Sequence, residues 1–94
     1  MISLNFIRAH VIITGEVQGI GFRYYIKEKA KMLGINGWVR NLIDGKVEAV
    51  FEGLEDKVKE LIEWCKKGPS LAKVNHVKVE FRNYKGEFTS FDGI

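Results

Sequence analysis

Residues 8–34 read RAHVIITGEVQGIGFRYYIKEKAKMLG, and the change of period inside this stretch decides the fold. Arg8 to Thr14 is a β-branched run closed by Gly15, which predicts a first strand. GEVQGIG then predicts a glycine-punctuated loop over residues 15–21. From Phe22 the apolar residues fall at helical spacing (Phe22, Tyr25, Ile26, Ala30, Leu33), and Gly34 marks the stop. Outward from this unit, Ile35 to Leu42 alternates as a second strand. The turn Ile43-Asp44-Gly45 leads into a third, Lys46 to Glu52, and an Asp-Gly turn between two alternating runs predicts a hairpin. Leu54 to Lys67 carries the apolar stripe of a second helix (Leu54, Val58, Leu61, Ile62, Cys65). Its acids Glu55 and Asp56 stand at one end and Lys66 and Lys67 at the other, as the helix dipole favours. Glu55–Lys59 and Glu63–Lys67 are spaced as ion pairs. After Gly68-Pro69, Lys73 to Arg82 alternates as a fourth strand, and the tail from Asn83 to Ile94 adds a short edge strand through Phe88–Phe91.

The order β-α-β-β-α-β predicts an α+β, ferredoxin-like sandwich: an antiparallel sheet of strand order 4-1-3-2 with two helices on one face. Val11, Ile13, Val39, Val47, Phe51, Val77 and Val79 are the predicted sheet contribution to the core. Ninety-four residues suit one domain over residues 1–94. No apolar run reaches the ~18 residues of a membrane span, and MISLNFIRAH lacks a signal-peptide core. One cysteine, Cys65, fits a reducing cytoplasm. The net charge of +3 favours anionic ligands without choosing among them. The chain has no basic block of the kind found in nucleic-acid arms.

The chemistry points to the glycine loop. Glycines allow successive N–H groups to converge on an anion, and the helix N-terminus behind them adds free N–H groups and a positive dipole end. Arg23 sits in that first helical turn, where the dipole prefers an acid, and the helix has no acid before Glu28. A bound anion would supply the compensation, and a guanidinium can grip phosphate with two parallel hydrogen bonds. The loop lacks the Gly-Lys-Ser/Thr of a P-loop and the G-x-G-x-x-G spacing, which argues against a nucleotide. Asn41, at the end of the second strand, falls on the same sheet edge as the loop, roughly 10 Å away by two strand spacings. Its carboxamide could hold a water there. Taken alone, Arg23 reads as a surface arginine and Asn41 as the start of a turn. His10 and His76 have no ligand-spaced neighbours, which argues against a metal site. Cys65 reads as a buried thiol.

GEVQGIGFR (Gly15–Arg23), GWVRNLIDGKVEAVFEG (Gly37–Gly53) and GPSLAKV (Gly68–Val74) resemble signatures of the acylphosphatase family, over about Arg8 to Phe81. The resemblance implies the ferredoxin-like fold and a hydrolase that turns acyl phosphate and water into carboxylate and phosphate. It implies that Glu16, Val17, Gln18, Gly19, Ile20, Gly21, Phe22 and Arg23 bind the phosphoryl group and that Asn41 positions the attacking water. The expected ligands are a small acyl phosphate and competing anions such as inorganic phosphate, with no metal or cofactor, no nucleic acid and no membrane, and the chain is read as a monomer.

Two other readings compete. The open sheet face, with Arg8, His10, Trp38, Arg40 and Lys78, resembles an RNA platform, but KVEAVFEG lacks the paired aromatics of that module. A non-catalytic acyl-phosphate-binding domain is the third. Arg23 and Asn41 in place, and a chain running from Met1 to just beyond the fourth strand, favour a stand-alone enzyme.

Overall fold

A computed structural model describes residues 4–94; residues 1–3 lie outside it. The elements are β1 (Phe6–Glu16), α1 (Phe22–Met32), β2 (Asn36–Asn41), β3 (Val47–Leu54), α2 (Glu55–Lys67), β4 (Lys73–Asn83) and β5 (Phe91–Gly93). The sheet order is β4-β1-β3-β2-β5. The first four strands pair antiparallel, as the split βαβ pattern requires. The tail departs from expectation in two ways. Its strand covers Phe91–Gly93 rather than Phe88–Phe91, and it runs parallel to β2, so the five-stranded sheet is mixed. Gly37 N–H donates to Ser90 O (2.9 Å) and Ile94 N–H to Val39 O (2.8 Å), which fastens both ends of β5 to β2.

Period-2 alternation fills the core from β1, β2 and β3. Ala9, Val11, Ile13, Val39, Val47, Ala49 and Phe51 are all fully buried on the helix side. Phe22, Ile26 and Ala30 meet them from α1, and Val58, Leu61, Ile62 and Cys65 from α2. Val77 and Val79 are only partly buried, because β4 is an edge strand. Phe22 packs edge-on to Trp64, with ring centroids 5.8 Å apart, and this fixes the start of α1 against α2. On α2, Glu55 pairs with Lys59 as spaced (3.0 Å), whereas Glu63 takes Lys66 at i,i+3 (3.1 Å) instead of Lys67.

The other sheet face carries paired charges. Arg8 bonds Glu52 (3.3 Å) and Glu87, with its guanidinium over the Phe88 ring. The Lys85 and Gly86 amides donate to Glu52 Oε2, so the tail crosses this face on its way to β5. Glu48 takes both His10 Nε2 (2.7 Å) and Arg40 Nε (2.6 Å). Burial pushes the Glu48 carboxyl up, but the bonds from His10 and Arg40 together outweigh it and hold it below its ordinary range. The cations that suggested an RNA platform are therefore largely engaged within the fold.

Candidate active site

β1 and β2 flank β3 and run the same way, so both end on one edge of the sheet. The loop after β1 and the last residue of β2 meet there. A bulge between Thr14 and Gly15 turns the end of β1 out of register with β4. Gly15 is required at this point. Its φ is +138°, and a Cβ would sit 2.1 Å from Lys73 O. Gly21 then caps α1 at φ +81°, ψ 13°, a left-handed conformation that opens the first turn, with no side-chain cap.

Outside the regular ladders, no main-chain N–H from residues 17 to 24 finds an acceptor among the described residues; Tyr25 N–H is the first, to Gly21 O at 3.1 Å. These are the free donors of a helix N-terminus and the loop before it. The first turn of α1 holds no acid to face them.

A cavity of about 340 Å³ opens at this edge, lined by Val17, Gly19, Gly21, Phe22, Arg23 and Asn41 together with Tyr24, Lys27 and Gly93. Arg23 is exposed, and its Nη1 donates to Ile94 O at 2.6 Å. That bond orients the guanidinium and leaves its other N–H groups for a ligand. Asn41 Oδ1 is buried and has no hydrogen-bond partner among the described residues. Such an acceptor is costly unless a water or ligand donates to it.

The structure thus brings Arg23 and Asn41 onto one cavity, along with Val17, Gly19, Gly21 and Phe22 from the loop. Glu16, Gln18 and Ile20 do not line it. Glu16 is an exposed end of β1, 3.9 Å from Lys73. Gln18 faces the β2–β3 hairpin, donating through Nε2 to Leu42 O (2.7 Å) and Lys46 O (2.9 Å). Ile20 turns into a separate hollow beside Tyr25, Lys29 and Trp64. Tyr24, Lys27 and Gly93 were missed. Lys27 was within reach of sequence reasoning, being one helical turn from Arg23; Gly93 arrives only through the β2–β5 pairing. No group of three or more His, Cys, Asp or Glu is placed to hold a metal among the described residues. Cys65 lies in the core, where burial pushes its thiol up to about 12, so it is no nucleophile at neutral pH.

Comparison with known proteins identifies the family. The acylphosphatase family profile matches residues 9–93. An acylphosphatase of Syntrophobacter fumaroxidans is 54% identical over 85 residues, 90% of this chain and 88% of that protein. The crystal structure of acylphosphatase from Bacillus subtilis superposes with a TM-score of 0.90 at 32% identity, covering 94% of this chain and 98% of the other. The structure of an acylphosphatase from Coxiella burnetii gives 0.90 at 37% identity, covering 96% and 94%. Agreement of this extent, in sequence and in the course of the backbone, makes the chain a member of the acylphosphatase family.

Proposed function

We infer that the chain is an acylphosphatase that hydrolyses the carboxyl–phosphate bond of small acyl phosphates by direct attack of water, with Arg23 and Asn41 as its catalytic residues. The observation that carries this reading is the buried, unpartnered Asn41 Oδ1 on the same cavity as the Arg23 guanidinium and the free loop amides.

The division of labour follows from the donors and acceptors present. Arg23 and the main-chain N–H groups around Val17 to Phe22 hold the three phosphoryl oxygens and take up charge as it redistributes. These donors are fixed by the fold, so they need little reorganisation when the reaction occurs. Asn41 Oδ1 accepts a hydrogen bond from one water and aims the water oxygen at phosphorus, opposite the carboxylate. The new P–O bond forms as the bond to the carboxyl oxygen breaks, and the carboxylate leaves with the electron pair. The water's proton passes to a phosphoryl oxygen, giving carboxylate and inorganic phosphate. A carboxylate is a good leaving group, so the scheme needs neither a covalent intermediate nor a metal. Inorganic phosphate, as product, competes for the same donors. The protein is read as acting as a monomer, and the lone buried Cys65 suits a reducing cytoplasm.

The test is phosphate release from acetyl phosphate in the presence of a chelator, with p-nitrophenyl phosphate as a monoester control. Hydrolysis of the first alone is expected. No release from acetyl phosphate, or equal release from the monoester, would overturn the reading.

A further inference from the structure

We propose that Lys27 is a specificity-determining residue that makes this site favour acyl phosphates whose acyl chain carries a further negative charge. The proposal rests on the activity reading above.

Lys27 lines the same cavity as Arg23 and Asn41, and it is half-buried there. Its Cδ lies 4.0 Å from where a Cβ on Gly93 would stand, so its stem runs along β5 at the wall of the cavity. Among the described residues, Lys27 has no carboxylate within ion-pair range, a state it shares with Lys31 on the same helix. Lys29, on the same helix, sits over the Trp64 ring instead.

Arg23, Lys27 and Lys31 follow one another at i,i+4 along α1. Like charges at that spacing are unfavourable in a helix, and no acid in the first turn offsets them. A bound anion relieves this. One phosphoryl group engages Arg23 and the loop amides, which leaves the Lys27 charge unmatched. The cleft, about 340 Å³ and open to solvent, also leaves space beside a phosphoryl group for more of the ligand. A second anionic group in the ligand, within about one helical turn or 5–6 Å of the first, fits both the spare charge and the spare volume.

The experiment compares kcat/KM for acetyl phosphate and succinyl phosphate, which differ by a terminal carboxylate, in wild type, Lys27→Met, Lys27→Arg and Lys27→Glu. The ratio of the two substrates, rather than either rate, is the readout. A partly solvated charge pair at this distance predicts a ratio in favour of succinyl phosphate that falls roughly threefold to tenfold in Lys27→Met. The ratio should fall further in Lys27→Glu and return in Lys27→Arg. The change should reside in KM and shrink as salt is raised. A wild type that hydrolyses both substrates with a ratio unmoved by these substitutions overturns the proposal and leaves the activity reading intact. A wild type that hydrolyses neither overturns both.

Discussion

Gln18 and Lys46 are tied across the mouth of the fold: the Gln18 carboxamide donates to the Lys46 carbonyl at 2.9 Å, and to the Leu42 carbonyl at 2.7 Å with its second N–H. The glycine loop is thereby fastened to the hairpin that carries Asn41. Gln18→Ala removes both bonds, at a cost of about 1–3 kcal/mol for two part-buried hydrogen bonds. It also loosens the loop amides relative to Asn41. The expected outcome is a lower urea midpoint and a KM for acetyl phosphate raised several-fold. An unchanged KM would show that the loop holds its shape without this tie.

Gly15→Ala tests the bulge. The substitution places a Cβ 2.1 Å from Lys73 O at a φ of +138°. Backbone strain alone costs about 1–3 kcal/mol, and the clash with β4 adds to it. Denaturant unfolding should show the loss, with a weakened grip on phosphate in what still folds. A change within about 0.5 kcal/mol, the range of an ordinary surface substitution, would mean that the bulge adapts.

How much of this was legible beforehand depends on the reach of each interaction. Period and turn chemistry are local, so RAHVIIT, the Asp44-Gly45 turn and the stripe Val58, Leu61, Ile62, Cys65 announce their elements directly. The meeting of Arg23 with Asn41 follows from topology, because β1 and β2 must end together once β3 lies between them. The rest depends on non-local pairing. β5 is three residues long and gains its place from β2, not from its own alternation. Gln18 looks like one more loop residue until the carbonyls of Leu42 and Lys46 are in front of it. The engagement of Arg8 by Glu52 and Glu87 likewise needs the path of the tail, which composition does not give.

Glu48 offers a prediction in pH. Its carboxyl is held below its ordinary value of 4.5 in the folded chain. A lowered folded value means a contribution to stability that is present above 4.5 and lost as pH falls through the folded value. Wild type should therefore exceed Glu48→Gln in unfolding free energy at neutral pH, and the gap should close well below 4.5. Denaturant curves at the two pH values read this. A gap that stays constant would contradict a stabilising role for the charged form.

The central claim is that Arg23 holds the phosphoryl group while Asn41 aims the water. It is tested most directly by kcat/KM for acetyl phosphate in Arg23→Ala and Asn41→Ala, with inhibition by inorganic phosphate measured alongside. Arg23→Ala should lose on the order of 10³-fold or more, as for other charge-stabilising arginines, together with its affinity for phosphate. Asn41→Ala should lose roughly 10²–10³-fold, as for a single orienting group, while still binding phosphate. Activity above a tenth of wild type in either folded variant would contradict the role assigned to that residue.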